Sequence, residues 1–336
     1  MKSTKKETVL ITGGAGFIGH AIVEHLLETT DFDIISLDRL DTSGCLDRLH
    51  DVFEKNPQWR KRTQVVWHDL KAPLSTHVIH KLGEVNYILH LAAGSHVNRS
   101  IKYPLEFVMD NVVGTCNLLN YAIAECESLK LFLYFSTDEV FGPAPAGVTF
   151  KEDDRYNARN PYAATKAAAE ELCNAYANTY GLPAIVTHTM NAYGPRQHLE
   201  KFIPIVIKKL QNDETITIHS DKSGTKSSSR RYLFSRDVAE AVRFLMFTHT
   251  AGEKYNVCAD IETDNLTLAK MIAEIMGKEL KFKLEYPEDS RPGNDFRYSV
   301  CGDKLNEMGW KQRVNLREGL EETIRWYLDN PTWGDS

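Results

Sequence analysis

Short apolar runs alternate with longer amphipathic segments along the first part of the chain. Residues 8–12, 33–37, 64–67, 87–91, 131–135 and 184–189 are apolar runs of strand length. Runs apolar on both faces suit strands covered by helices on both sides of a sheet. Residues 21–28 have a helical pattern. Residues 104–126 read as one long helix, with Val108, Val112, Leu119 and Ile123 as candidate core contacts. Another helix begins near Pro161, since Pro is favoured just inside a helix start. Its alanines at 163, 164, 167, 168 and 169 make it slim, which suits close packing in the core or between subunits. Strand and helix in alternation predict an α/β fold with a doubly wound parallel sheet.

After Pro195 the rhythm changes. Residues 203–210, 237–247, 266–276 and 314–328 read as helices, and 215–219 and 254–258 as strands. Residues 221–231 are rich in Ser, Lys and Arg. They read either as a solvated loop or as a phosphate-facing lid.

Composition narrows the classes. A chain of 336 residues with 42% hydrophobic and 26% charged content holds one large domain or two sharing an interface. The net charge of −6 argues against general nucleic-acid binding. No apolar run reaches membrane-spanning length. Lys2, Lys5 and Lys6 before Val9-Leu10-Ile11 imitate a signal peptide, but the glycines that follow mark a strand entering a turn. Six cysteines without a C-x-x-C pair predict reduced thiols, a cytoplasmic protein and no metal site.

The first strand runs into Gly13-Gly14-Ala15-Gly16-Phe17-Ile18-Gly19. Glycines at 13, 16 and 19 allow a tight turn and close approach of backbone to a pyrophosphate at a helix N-terminus. Asp38 follows Gly19 by nineteen positions and ends the second strand, where a carboxylate accepts hydrogen bonds from an adenosine ribose. Asp38 favours NAD over NADP, while Arg39 beside it is a residue that could bind a 2′-phosphate. Asp69 and Leu70 follow the third strand; Asp69 contacts the adenine edge or caps a turn. Leu91, Ala92 and Ala93 follow the fourth, and small residues there let backbone approach a cofactor.

The fifth strand leads into Ser136-Thr137-Asp138-Glu139, at the carboxyl edge where α/β sheets place their chemistry. Among the fourteen tyrosines only Tyr162 has a Lys four residues later, Lys166. On a helix that spacing puts both on one face, and an ammonium beside a phenol lowers its pKa toward that of a usable base.

The glycine loop with Tyr162-x-x-x-Lys166 resembles the extended short-chain dehydrogenase/reductase superfamily. Ser136 to Gly142 is similar to the signature of dTDP-glucose 4,6-dehydratases. Further matches run nearly end to end, among them Ser95-His96-Val97, Glu200-Lys201-Phe202-Ile203-Pro204 and Arg291-Pro292-Gly293. The resemblance implies a Rossmann domain for NAD, residues 1–190 with 236–262. It also implies a smaller C-terminal α/β domain for a nucleotide sugar, residues 191–235 with 263–336. It implies a redox-neutral cycle. Tyr162, helped by Lys166 and Thr137, takes the C4 hydroxyl proton as NAD receives hydride; Glu139 then removes the C5 proton, Asp138 protonates the departing C6 hydroxyl, and hydride returns to C6. The expected cofactor set is Gly13, Gly16, Phe17, Ile18, Gly19, Asp38, Arg39, Asp69, Leu70, Leu91, Ala92, Ala93, Ser136, Tyr162 and Lys166. By the same resemblance Ser95, Thr137 and Asn191 meet the sugar or phosphates, and Lys201, Arg230 and Arg291 meet the pyrophosphate. Thr217 and His219 lie along the pyrimidine, and Phe202, Asn256 and Asn294 complete the substrate set. A homodimer through a four-helix bundle is also implied.

Gly94 stands where the family usually has Glu, Asn98 where it has Asp, Ala192 for a second Asn, and Asn294 and Phe296 for His and Arg. These leave open whether the nucleotide is dTDP or UDP, and whether the sugar is glucose or an amino sugar. Two other readings stand beside the dehydratase: an NDP-sugar epimerase or decarboxylase of the same superfamily, and a non-catalytic NAD-binding module.

Overall fold

The computed structural model describes residues 6–41, 43–286 and 296–334. Seven parallel strands form the main sheet: β1 (Thr8–Thr12), β2 (Asp33–Asp38), β3 (Thr63–Trp67), β4 (Tyr87–His90), β5 (Leu131–Thr137), β6 (Ala184–Thr189) and β8 (Lys254–Val257). Their order is β8-β6-β5-β4-β1-β2-β3. The chain reverses its direction of travel between β1 and β4, which opens a crevice at their carboxyl ends.

Both faces of the inner strands are dry, as their unbroken apolar runs require, whereas the edge strand β3 leaves Gln64, Val65 and Trp67 exposed. Val9, Ile11, Leu131 and Leu133 point to one layer, where they meet Ile22, Val23 and Leu26 of α1 (Phe17–Thr29) and Val238, Val242 and Leu245 of α5 (Ser235–Thr248). Leu10, Ile88, Phe132 and Val186 point to the other. There they meet Leu118 and Leu119 of α2 (Gly114–Glu125) and Ala169 and Cys173 of α3 (Pro161–Tyr180). Each such side chain taken fully out of water contributes about 1.5–3 kcal/mol.

A separate apolar cluster forms in the second half. It joins Ile203, Val206 and Leu210 of α4 (Phe202–Gln211), Ile216 and Ile218 of β7 (Ile216–His219), Leu268 and Ile272 of α6 (Asn265–Met276), and Leu320 and Ile324 of α7 (Leu316–Asp329). β7 pairs in parallel with β9 (Phe282–Glu285).

Two expectations need correction. Residues 104–126 are not one regular helix: an α-turn at Pro104–Phe107 passes into a π-helical segment, Val108–Val113, before α2. The wider turn shifts the face that looks inward, so Phe107 and Asn111 are buried whereas Val108 and Ile123 are exposed. β5 also runs through Ser136 and Thr137, so the polar residues begin inside the strand rather than after it.

Among the described residues no helix is long and apolar enough to cross a membrane, and no group of three His, Cys, Asp or Glu is placed to hold a metal ion. All six cysteines are free.

Candidate active site

The glycine loop ends β1 with Gly13 at φ 73°, a backbone conformation open to glycine, and the Gly13 N–H donates to Leu37 O at 2.8 Å. A Cβ at Gly19 would lie 2.1 Å from Gly13 O, so α1 can pack onto the loop only without one. Gly16 caps α1 without a side-chain bond, which leaves the first amides of the helix aimed at the crevice. Bare backbone at a helix N-terminus fits the diphosphate of a dinucleotide.

Asp38 ends β2 and is buried. Its oxygens accept from Leu40 N at 2.9 Å and Ala15 N at 3.2 Å. Burial pushes the carboxyl up, and those backbone amides oppose the shift. A cavity of about 380 Å³ runs from Asp38, Arg39, Asp69 and Leu70 past Gly13, Gly16, Phe17, Ile18 and Gly19. It continues over Leu91, Ala92, Ala93 and Ser95 to Ser136, Thr137, Asp138, Glu139, Tyr162 and Lys166, and is lined by Asn191 and Lys201 as well. The residues present therefore fit an extended dinucleotide with a second ligand beside the acid pair. Asp69 Oδ1 accepts from Lys71 N at 3.0 Å, so it caps a turn while lining the cavity.

Thr137 sits where β5 passes into the short 3₁₀ turn Asp138–Phe141. Its hydroxyl accepts from Glu139 N at 3.3 Å and donates to Asp138 Oδ1 at 3.2 Å. The two carboxylates differ in surroundings. Asp138 is buried and its Oδ2 has no partner; burial first, and Glu139 second, push its carboxyl up to about 7. Glu139 Oε2 accepts from Asn160 Nδ2 at 3.1 Å and from the Tyr298 hydroxyl at 3.3 Å. Asn160 also caps α3 through Oδ1 to Ala163 N at 2.8 Å, so one residue starts the Tyr162 helix and orients Glu139.

The expected effect of Lys166 on Tyr162 is corrected. Lys166 Nζ donates to Phe135 O at 2.7 Å and lies 4.1 Å from the centre of the Tyr134 ring. Burial brings its ammonium down to about 7, against the pull of Glu170. The Tyr162 phenol is held above its ordinary range by burial first and Glu139 next, and a hydrogen bond with Thr137 pulls the other way.

Ser136 lines the cavity but gives its hydroxyl to Glu170. Glu170 also binds Tyr156 and, at 3.2 Å, His188 Nε2, and His188 Nδ1 meets Asn256 Oδ1 at 3.0 Å. Asn256 is fully buried, with its amide donating to Phe150 O and Cys301 O at 3.1 and 3.0 Å. The expectation that it meets substrate is corrected: inside β8 its polar atoms are already spent on holding neighbouring chain.

Phe202, Thr217, His219 and Arg230 do not line this cavity. Thr217 and His219 sit on β7 opposite Lys283 and Glu285. Phe202 packs on the second apolar cluster. Arg230 stacks 4.6 Å from the centre of the Tyr298 ring, and its charge favours the ionised form of Asp138. Arg291 and Asn294 lie outside the described residues.

Sequence reasoning missed Asn160, Tyr298, Asp110, Ser43, Gly44 and Arg48. Asn160 had a local signal, an Asn before the Pro that opens a helix. Tyr298 had none, because only the fold brings it to Glu139.

The GDP-mannose 4,6 dehydratase family model matches residues 10–323. A dTDP-glucose 4,6-dehydratase of Shigella flexneri is 35% identical, over 97% of this chain and 94% of its own. The crystal structure of a dTDP-glucose 4,6-dehydratase from Streptomyces venezuelae, with NAD bound, superposes at a TM-score of 0.85 with 32% identity, covering 97% of this chain and 98% of that one. A Thermus thermophilus UDP-glucose 4-epimerase, solved with NAD, gives a TM-score of 0.83 at 28% identity over 96% and 99% of the two chains.

Proposed function

This chain belongs to the GDP-mannose 4,6-dehydratase family, and from that membership we propose that it is an NAD-dependent NDP-glucose 4,6-dehydratase, a hydro-lyase. The observation that carries the dehydratase reading is the unequal acid pair. Asp138 keeps a proton near neutrality because it is buried with an unpartnered oxygen. Glu139, one residue on, instead accepts two hydrogen bonds on Oε2, from Asn160 and Tyr298. Eliminating water across C5 and C6 needs one base and one acid at the same moment, and unequal surroundings supply both.

In this reading Tyr162 takes the proton of the C4 hydroxyl, with Thr137 hydrogen-bonded to the phenol. NAD, when bound, supplies a hydride acceptor at C4 and returns the hydride at C6. Lys166, held by Phe135 O, adds positive charge on the Tyr162 face. The new ketone acidifies the C5 hydrogen, which Glu139 removes; Asp138 passes its proton to the departing C6 hydroxyl, and Glu139 gives a proton back to C5 once C6 is reduced. Residues 1–190 with 236–262 hold the dinucleotide, and residues 191–235 with 263–336 hold the nucleotide of the substrate.

The same reading includes a homodimer. Leu105 and Val108 expose 70% and 39% of their surface beside the exposed Ala164 and Ala168 of α3, an apolar, close-packing surface for a second copy. A cytoplasmic location is part of it too, supported by six free thiols.

The experiment is incubation with dTDP-, UDP-, CDP- and GDP-glucose, followed by mass spectrometry of the sugar nucleotide. Loss of one water from one of them is the expected result and names the nucleotide. Isomerisation at unchanged mass would instead make the chain an epimerase.

A further inference from the structure

We propose that Asp110 sets the dinucleotide specificity of this chain by holding the Arg39 guanidinium away from the position of a ribose 2′-phosphate. The inference rests on the reading of Asp38 as the ribose carboxylate of the NAD site. Arg39 follows Asp38 at the end of β2, and both line the cavity. An arginine in that place is the residue type that accepts a 2′-phosphate, through a planar fork of N–H donors.

Here the fork is occupied. Nη1 lies 2.6 Å from Asp110 Oδ1 and Nη2 3.2 Å from Asp110 Oδ2, a bidentate pair. Nε meets Asp41 Oδ2 at 2.6 Å. Two carboxylates thus answer one guanidinium, and Asp38 is a third acid beside it. Lys71 Nζ, 3.3 Å from Asp110 Oδ1, is drawn into the same group. The main chain of Arg39 is pinned as well: Trp67 Nε1 donates to Arg39 O at 3.0 Å, and Leu40 turns at φ 53° with its N–H on Asp38. A phosphate dianion arriving there would meet paired cations and carboxylates rather than an open fork.

Asp110 reaches this position through two departures from regular sequence and structure. It lies in the π-helical segment Val108–Val113, where the next residue, Asn111, turns inward and binds Gly94 N at 2.7 Å. A Cβ at Gly94 would lie 3.2 Å from Asp110 Oδ2. Gly94, at a position where the resembling family usually has Glu, therefore leaves the room that the Asp110 carboxylate fills.

The test equilibrates each protein with an equimolar mixture of NAD⁺ and NADP⁺, removes free dinucleotide, and measures what is bound after denaturation. The wild type is expected to carry NAD⁺. Asp110→Asn keeps the shape and removes the charge, and should raise the NADP⁺:NAD⁺ ratio on the order of tenfold, the worth of one charge-assisted pair. Arg39→Ala added to Asp110→Asn should return the ratio to that of the wild type. Should Asp110→Asn fail to fold, Asp41→Asn loosens the same guanidinium and must shift the ratio the same way. An unchanged ratio in the folded variant overturns the proposal. So does a gain that survives Arg39→Ala, which would make charge removal alone the cause. A wild type that holds neither dinucleotide would instead sink the underlying reading of the Asp38 site.

Discussion

Tyr298 and Glu139 are 159 residues apart, and the phenol of the first donates to Oε2 of the second at 3.3 Å. Asn160 reaches the same oxygen at 3.1 Å. Tyr298 is itself buried and lies under Arg230, so the far end of the chain closes over the acid pair. Tyr298→Phe keeps the ring and deletes the donor. C5 hydrogen exchange with D₂O is expected to fall about tenfold, since a hydrogen bond to a charged group contributes roughly 1.5–3 kcal/mol. Formation of bound NADH should change much less. Equal losses in both would mean that Tyr298 supports the whole pocket rather than Glu139.

The pH profile follows from Asp138 and Lys166. Both are needed protonated, and both are brought to about 7, Asp138 from below and Lys166 from above, in each case first by burial. A group required in its protonated form loses activity as pH rises through its pKa, so elimination should decline on the alkaline side of about 7. The two are separable by step. Among the groups that must hold a proton, bound-NADH formation reports Lys166 and not Asp138, whereas water loss reports both. Asp138→Asn should leave the alkaline fall in NADH formation unchanged.

The loop from β1 to α1 tolerates no side chain at Gly19, where a Cβ would meet Gly13 O at 2.1 Å. Gly19→Ala must push helix and loop apart, a strain costing about 1–3 kcal/mol. A lower melting temperature and loss of dinucleotide that survives purification are expected. Retention of bound NAD at the wild-type level would show that the loop does not cradle the cofactor.

The proposed dimer has a direct check. Ala164→Glu places a charge on the exposed small-residue face of α3, and Leu105→Glu does so at a side chain that exposes 70% of its surface. Burying an unpaired charge is costly. Both variants should elute as monomers where the wild type elutes as a dimer. A wild type of monomeric mass at micromolar concentration would remove the proposal.

Much of this site was legible because its signals are local. The glycine loop, the carboxylate ending the second strand and the Tyr162/Lys166 spacing each lie within one element and its turn. The sheet was legible because Leu10 and Val9, or Phe132 and Leu133, must be buried on opposite faces. The rest depended on chain meeting chain. The π-helical turn that exposes Val108 and buries Asn111 has no period of its own to read. Asn256 shares a short motif with the resembling family, yet its contacts with Phe150 and Cys301 come from segments far along the chain. The raised Tyr162 phenol reflects how the fold walls its hydroxyl off from water, and spacing to a lysine says nothing about that.

The last expectation separates the acid, the base and the phenol. Glu139→Gln keeps the shape and loses the proton acceptor. Loss of a general base costs on the order of 10²–10⁴-fold, so bound NADH and 4-keto sugar should accumulate with little dehydrated product, and C5 exchange with D₂O should collapse. Asp138→Asn acts later. Exchange at C5 should outlast product formation, because only protonation of the leaving hydroxyl is impaired. Tyr162→Phe acts earlier and should suppress both, since no ketone forms to acidify C5. C5 deuterium incorporation measured beside bound-NADH absorbance distinguishes the three. The structure sharpens the contrast between the carboxylates, because Asp138 Oδ2 is buried without a partner while Glu139 Oε2 has two donors. If Glu139→Gln exchanged C5 as fast as the wild type, another group would have to be the base. The division of the acid pair into proton holder and proton acceptor would then fail.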